Sequence, residues 1–236
     1  EGGVVTSEGV ENKIPSGKQG PKRGAIKRLR TIDGYLYFCG GNRSVGKRLG
    51  RNQWENLCIN LPKDTRKDSD MTMGFEDMDG FATDDIYCAG GQADVWHYNG
   101  ATWRQIQLPT NIDLESLVCA GDGQVYISGE QGLTFVGRGD KWQAIPNTVN
   151  SMLPFKDMVW YEDRVWCTNS HGTWTIYKDP VKGYTMEKQS LPGKMHVYSG
   201  SLSARDGVLL LAGPNGAAFF ENGQWTVIYN RIKMDM

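Results

Sequence analysis

Histidine and cysteine are the residue types in this chain that most readily bind a metal or act as nucleophiles. The three histidines are His97, His171 and His196, and none forms an HxH, HxxxH or HExxH arrangement. The five cysteines include no CxxC pair, so neither a zinc site nor a disulfide framework is indicated. GxSxG and GxxxxGK(S/T) motifs are absent as well. We therefore predict a protein with no catalytic residues, no metal site and no cofactor.

Carboxylates offer a second kind of chemistry. Acidic residues cluster at positions 64–70 and again at 76–79. Paired carboxylates cleave glycosidic bonds when they face each other across a substrate cleft. A glycan-active propeller of the sialidase or lyase kind is therefore one alternative. A lectin-like propeller with exposed Trp and Tyr between its blades is another.

The elements that would position these residues follow a repeated pattern. Each copy has an Asp turn, a short apolar run, a Gly-rich break, a second run and a turn that ends in Trp. The clearest copies cover residues 85–103, 122–142 and 206–225, and weaker copies begin at Asp33 and Asp163. The period of about forty residues is typical of propeller blades.

Each copy divides into four short strands rich in Val, Ile, Tyr, Phe and Trp. Asn99-Gly100, Asp122-Gly123 and Asn222-Gly223 are hairpin signals, because these residue types tolerate a positive φ. We predict an all-β fold, a β-propeller of four-stranded antiparallel blades in a single domain over residues 1–236. The five complete repeats cover residues 24–62, 74–109, 113–146, 155–192 and 196–230.

The two ends of the chain suggest a further blade. Residues 1–15 align loosely with Glu130–Pro146, which carry the third and fourth strands of their repeat. Residues 231–236 would supply the first strand of the same blade. We predict a sixth blade shared between the ends, because strands from both termini close propellers and remove their sheet edges. Five or seven blades are the alternatives.

The turn-plus-Trp pattern resembles the degenerate Asp-box or BNR-type repeats and the kelch-like repeats of bacterial β-propellers. The resemblance covers nearly the whole chain after about residue 24. The Ser-x-Asp start of the full Asp-box is absent, and so are the Gly-His and Trp-Asp pairs of the best-known forty-residue propellers. The resemblance implies a fold rather than a particular activity.

Composition limits the compartment and the partner. No apolar run approaches membrane-spanning length, so we predict no membrane span. Cys39, Cys58, Cys88, Cys119 and Cys167 are expected to be reduced, which favours the cytoplasm. The chain begins at Glu1 rather than Met, which is also compatible with a trimmed signal.

Charge is unevenly spread along the chain. Residues 1–67 hold 14 Lys/Arg and 6 Asp/Glu, whereas the remainder holds 12 and 21. The asymmetry indicates either a charged partner surface or a change of sign among solvent-facing strands that carries no function. An acidic remainder and a pI near 6.4 disfavour nucleic acid as the partner.

Function in a propeller usually lies on loops, because packing occupies the strands. One end of the blades carries the breaks between second and third strands and the connections between blades. Among these, residues 61–74 form the most distinctive candidate, either as a recognition loop or as a solvent-exposed loop without a partner. The candidate partner-binding residues are Arg43, Lys47, Arg48, Lys63, Asp64, Arg66, Lys67, Asp94, Glu130, His171 and Asn215.

These observations favour a non-enzymatic, protein-binding propeller. Resemblance to small bacterial propellers implies a narrower hypothesis, a cytoplasmic immunity protein that neutralises a toxin by capping it. Charge complementarity would then give speed and specificity to the encounter. An assembly factor for a bacterial complex is the remaining alternative, because it would use the same binding chemistry with a different partner.

Overall fold

The computed structural model describes residues 5–6, 9–17, 19–63, 74–149, 151–192 and 200–231. Five four-stranded antiparallel sheets in these residues are the blades of a β-propeller, which confirms the predicted fold class. Contacts divide the chain into two compact units, residues 1–114 and 115–236. The single domain over residues 1–236 stays a prediction.

Residues 1–114 contain a short hairpin and two blades, and within each sheet the paired strands are consecutive in the sequence. The hairpin consists of β1 (Val5–Thr6) and β2 (Gly9–Val10). Blade 1 consists of β3 (Ile26–Ile32), β4 (Tyr35–Gly40), β5 (Ser44–Gly50) and β6 (Gln53–Asn56). Blade 2 consists of β7 (Phe75–Ala82), β8 (Asp85–Gly90), β9 (Asp94–Tyr98) and β10 (Trp103–Ile106).

The second unit contains the other three blades, and the first strand of blade 3 begins at the boundary between the units. Blade 3 consists of β11 (Leu114–Cys119), β12 (Val125–Gly129), β13 (Thr134–Arg138) and β14 (Lys141–Ile145). Blade 4 consists of β15 (Asp157–Tyr161), β16 (Arg164–Asn169), β17 (Gly172–Asp179) and β18 (Gly183–Lys188). Blade 5 consists of β19 (Ser201–Arg205), β20 (Val208–Gly213), β21 (Gly216–Glu221) and β22 (Gln224–Asn230).

Turn chemistry explains why the strands end where they do. Asn222 and Gly223 have φ values of 50° and 75°, as a two-residue type I′ hairpin requires. Gly100 and Gly123 also have positive φ, at 88° and 77°. The predicted hairpin signals therefore lie at observed strand connections. Because a type I′ turn matches the twist of the flanking strands, the Asn222-Gly223 turn sets the register of its hairpin.

Each unit has its own apolar core between adjacent blades. In the first unit, Tyr37 and Val45 of blade 1 join Phe75, Met78 and Ile86 of blade 2 in one buried cluster. In the second unit, one cluster lies between blades 3 and 4 and another between blades 4 and 5. The Trp residues of the repeat support this packing, since the Trp103 indole stacks on Phe75. Burying one such ring contributes about 2–3 kcal/mol.

The ends of the chain bear on the predicted sixth blade. Strands β1 and β2 pair as a hairpin, with Val5 opposite Val10, at the place where a third-to-fourth strand hairpin was expected. Residues 232–236 lie outside the described residues, so the strand expected there is not seen. The sixth blade stays a prediction.

The segment that follows the hairpin packs against blade 1. Ile14 is buried, and the Arg48 guanidinium in β5 binds the buried Glu11 carboxylate. This hydrogen bond from Arg48 is the main reason that the pKa of Glu11 lies below its ordinary value of 4.5. Residues 11–14 therefore belong to the folded first unit.

Among the residues that the structure describes, no helix is long and apolar enough to cross a bilayer.

Candidate functional site

Two of the predicted partner-binding residues form a buried ion pair in the first unit. The Arg43 Nε donates to Asp94 Oδ2 at 2.6 Å, and Nη2 donates to Oδ1 at 2.8 Å. Only 8% of the Arg43 side chain and 3% of the Asp94 side chain are exposed. The Trp96 indole N–H donates to the same carboxylate at 2.8 Å, and the guanidinium lies over the Trp96 ring. These charges act inside the protein, so we do not include them in a contact surface.

Arg43 also connects this pair to the connection between blades 1 and 2. Its Nη1 donates to the Pro62 carbonyl oxygen at 3.1 Å, just before the candidate recognition loop. Asn42 and Arg43 both adopt left-handed φ values, 55° and 54°. A left-handed Arg costs about 1 kcal/mol or more, and the bonds that it makes hold it there. We call Arg43, Asp94, Trp96 and Pro62 the Arg43 clamp.

Lys47, Arg48 and Lys63 differ in how far they are available to a partner. The Lys47 ammonium lies 4.0 Å from the centre of the Tyr35 ring. Arg48 is committed to Glu11. Lys63 is exposed. The other predicted residues of this loop, Asp64, Arg66 and Lys67, lie outside the described residues.

Basic side chains of blade 1 form ion pairs with acidic side chains of blade 2. Residues 68–114 hold one Lys/Arg and nine Asp/Glu, which makes blade 2 as acidic as blade 1 is basic. Strand β3 packs beside β7, and both Arg28 and Arg30 reach the fully buried Asp77 carboxylate at 3.0 Å. Lys27 pairs with Glu76 at 3.1 Å beside them. These acids neutralise basic side chains that the sequence allowed to face a partner.

The second unit carries an open groove between blades 3 and 4, at the end of the blades where second strands turn into third strands. Its volume is about 250 Å³. We call it the blade 3–4 groove, and its lining residues are Glu115, Glu130, Leu153, Pro154, Lys156, Asn169 and Ser170.

The charged residues of the groove are partly exposed. The Lys156 ammonium binds Glu115 Oε2 at 2.8 Å, with 46% and 29% of the two side chains exposed. Glu130 is exposed in a short 3-10 turn, Glu130–Gly132, and its carboxylate has no hydrogen bond or ion pair to another described residue. One carboxylate of the groove is therefore available to a binding partner.

Asn169 holds the wall of the groove in place. This buried side chain donates to the Ser151 hydroxyl at 3.1 Å and to the Leu153 carbonyl at 3.4 Å. Its Oδ1 accepts the backbone N–H of His171 at 2.8 Å. A single amide thus joins the connection between blades 3 and 4 to the second-to-third turn of blade 4.

Gly132 allows the same connection to approach blade 3. Its φ is 68°, and an added Cβ would collide with the carbonyl oxygen of Ser151. Glycine is needed here both for the left-handed backbone and for the close approach. The groove therefore has a preformed backbone frame.

His171 and Asn215 lie in the equivalent turns of blades 4 and 5. The His171 side chain is exposed, whereas Asn215 is partly buried and its carbonyl oxygen accepts the Arg231 N–H. Neither residue lines the groove. Both stay predictions as partner-binding residues, as do Lys47, Arg48 and Lys63.

Sequence reasoning selected Glu130 but missed the other residues that line the groove. Glu115 and Lys156 are 41 residues apart and meet only because blades 3 and 4 are adjacent. Residues 146–154 are a connection between blades and residues 169–172 are a second-to-third strand break, and both belong to the end of the blades predicted to carry function. That placement was the available signal for Leu153, Pro154 and Asn169.

A larger cavity of about 590 Å³ lies at the opposite turns of blades 3 and 4. Asp122, Trp142 and Tyr184 are among its lining residues. Burial, the largest cause, raises the pKa of Tyr126, whose hydroxyl donates to Asp122 Oδ2 at 2.7 Å. The Trp142 indole N–H is likewise bound, to the Gly139 carbonyl at 2.9 Å. These two polar groups thus support the turns around the cavity.

Cysteine and histidine are the residue types best suited to nucleophilic or metal-binding chemistry, and here the cysteines and His97 have structural roles. All five cysteines are free thiols, and burial raises the pKa values of Cys39, Cys88 and Cys167. His97 stacks on Tyr87, with ring centres 4.4 Å apart, and its Nε2 contacts Asp85 at 2.8 Å. In the described ranges, no group of three or more His, Cys, Asp or Glu side chains is placed to hold a metal ion.

Solved structures with the same fold include proteins of several kinds. Virginiamycin B lyase from Staphylococcus aureus superposes with a TM-score of 0.65 at 12% identity, over 96% of this chain and 76% of that one. The extracellular domain of a two component system from B. thetaiotaomicron superposes with a TM-score of 0.60 at 18% identity. That match covers 87% of this chain and 28% of the other. At these identities the likeness shows the propeller fold alone.

Sequence comparison identifies a closer relative. No protein-family model matches the chain. The Immune protein Tsi7 of Pseudomonas aeruginosa is 30% identical over 220 residues, which cover 92% of this chain and 69% of that protein. The chain therefore belongs to the family of the immune protein Tsi7.

Proposed function

We propose that this chain is an immunity protein that neutralises a bacterial toxin by binding it, in the cytoplasm and without catalysis. The observation that carries the proposal is the 30% identity to an immune protein over 92% of the chain. Protein binding is a common use of the propeller fold, because its loops can vary while its strands keep the packing.

The groove between blades 3 and 4 supports a binding role. It combines an apolar wall, Leu153 and Pro154, with exposed charges and a backbone frame set by Asn169 and Gly132. A preformed site loses little conformational entropy when a partner binds. We place the toxin contact on this face, with His171 beside it.

We also propose a contact with the toxin on the first unit, considered by itself. Lys63 is exposed and lies directly after the Arg43 clamp, which holds the adjacent Pro62. Residues 64–73 lie outside the described residues, and Asp64, Arg66 and Lys67 stay predictions for this surface. Charged side chains at this surface would favour fast and specific association.

The first experiment is protection against the protein encoded by the neighbouring gene. Cells that express the neighbouring-gene protein should survive only when the immunity protein is co-expressed. The two purified proteins should elute together in gel filtration. Survival without complex formation, or complex formation without survival, would contradict neutralisation by binding.

Titration separates binding from catalysis. If the chain acts by binding, toxin activity should fall linearly with added chain and reach its minimum near one equivalent. Complete inactivation by about one hundredth of an equivalent would show turnover and overturn the non-enzymatic proposal. An unrelated globular protein at the same concentrations controls for non-specific effects.

A further inference from the structure

We propose that the blade 3–4 groove is an anchor site for one arginine or lysine side chain that projects from the toxin. The inference rests on the proposed function and adds the chemistry of the contact. It is carried by the groove's volume, its apolar wall, its preformed frame and the Glu130 carboxylate, which binds none of the described residues.

The volume of the groove suits a single side chain. At about 250 Å³ it lies below the range of roughly 300–1,000 Å³ that is typical of sites for drug-sized ligands. Leu153 and Pro154 give it an apolar wall, and Glu130 lies among the charged lining residues. Long cationic side chains bury their methylene stems on apolar surface while the charged head stays at the polar rim. The lining therefore matches both parts of such a side chain.

The charges of the groove select a cation. Lys156 is paired with Glu115, whereas the Glu130 carboxylate has no partner among the described residues. The three side chains together carry one excess negative charge. A guanidinium would bind Glu130 through two parallel hydrogen bonds, and an ammonium would bind it as a point charge. A carboxylate of the partner at the same place would be repelled.

The groove has the features of an interface hot spot. Binding energy concentrates where a rigid pocket receives one large side chain, and Arg is enriched among such residues. The hydrogen bonds of Asn169 to the Ser151 and Leu153 segment hold the wall before the partner arrives. Glu130 stands on a turn whose close packing depends on Gly132.

Variants of the two charged residues give opposite expectations. With the neighbouring-gene protein as the probe, E130Q should weaken binding about 10- to 100-fold, because a charge-assisted hydrogen bond is lost. E130K should weaken it further. K156M releases the Glu115 carboxylate, so binding should become tighter by roughly 2- to 5-fold at low salt. E221Q is the matched control, because Glu221 is exposed at the opposite end of its blade.

A blocked Gly-Arg-Gly tripeptide tests the groove without the toxin. In amide NMR spectra of the wild-type chain it should shift residues 130–132 and 169–172, and a blocked Gly-Glu-Gly tripeptide should not. E130Q should abolish the shifts while its circular dichroism spectrum and urea midpoint stay those of the wild type.

The outcomes distinguish the two proposals. If the wild-type chain does not bind the neighbouring-gene protein, the proposed function is overturned. If the wild-type chain binds it, and E130Q and E130K bind it as tightly as the wild type does, only the anchor site is overturned. Equal shifts with the Arg and Glu tripeptides, or none with either, would also overturn the anchor site. Tighter binding of E130K would indicate that the groove receives an anionic group instead.

Discussion

Replacing Asp94 by Asn removes the anionic half of the Arg43 clamp while it keeps the shape of the side chain. The new amide oxygen can still accept the Trp96 indole N–H, but the Arg43 guanidinium loses its counter-charge. Because only 8% of the Arg43 side chain is exposed, water cannot compensate for that loss. We therefore expect the clamp to open and the folded state to lose stability.

The expected magnitude follows from the burial of the pair. Breaking a buried ion pair by changing one partner costs about 3–5 kcal/mol. The free energy of unfolding should fall by that amount in D94N and by a similar amount in R43M, which leaves Asp94 uncompensated. The double variant R43M/D94N should lose only about 1–3 kcal/mol, because no buried charge remains. The coupling free energy between the two positions is then at least about 3 kcal/mol in magnitude.

Urea unfolding followed by Trp fluorescence gives the free energy of unfolding of the wild type and the three variants. Trp96 lies within the clamp and contributes to that signal. Native stability is typically about 5–15 kcal/mol, so the single variants should still fold. R43K keeps the charge but loses the planar fork, so it should fall between the wild type and R43M. Losses that add within about 0.5 kcal/mol in the double variant would refute the reasoning, since independent sites behave in that way.

Three further predictions concern other parts of the fold. Burial raises the pKa values of Cys39, Cys58, Cys88 and Cys167, so at most Cys119 should react promptly with a disulfide reagent at pH 8, and all five thiols should react in urea. Arg48 lowers the pKa of Glu11 below 4.5, so their pair stabilises the folded chain above that pH and the stabilisation is lost as the pH falls below it. The melting temperatures of E11Q and wild type should therefore differ at pH 7 and converge in acid. G132A should destabilise the chain by about 1–3 kcal/mol in urea unfolding, because its Cβ meets the Ser151 carbonyl at a left-handed φ of 68°.

Each of these predictions has a direct check. Prompt reaction of two or more thiols in the native chain would contradict the burial of the cysteines. A gap between E11Q and wild type that persists at pH 3 would contradict the assignment to the Glu11 carboxylate. Gly139 is the control for Gly132, since its φ is 60° and an added Cβ meets nothing within 4 Å. If G139A costs as much as G132A, the close approach to Ser151 contributes nothing.

Local patterns predicted the blades because turn and strand preferences depend on near neighbours. Gly123 and Gly223, for example, adopt φ values of 77° and 75° in turns that the Asp122-Gly123 and Asn222-Gly223 pairs indicated. The same reasoning placed Arg43 and Asp94 on a partner-binding face, although the structure buries them together. Exposure could not be predicted there, because the two residues are 51 positions apart and their blades had to be assembled first.

In the blade 3–4 groove, too, some residues could be predicted from local sequence and others only from the packing of the blades. Glu130 was identified because it lies in a break of the repeat, and a break can be recognised from one stretch of sequence. Lys156 and Glu115 were not, because their contact joins the first strand of blade 3 to the residue that precedes the first strand of blade 4. Asn169 had no visible role until its amide was seen to bind Ser151 and Leu153.

By itself, the sequence determined the repeat, the strands, the turns and the unequal charge of the two ends of the chain. These are properties of short segments, because they depend on residues that are close together in the sequence. Only the tertiary structure decided that Arg28 and Arg30 meet Asp77 and that the Glu130 carboxylate has no partner among the residues that the structure describes. The physical reason is that the strength of an ion pair depends on distance and burial, and both are set by the packing of blades that lie far apart in the sequence.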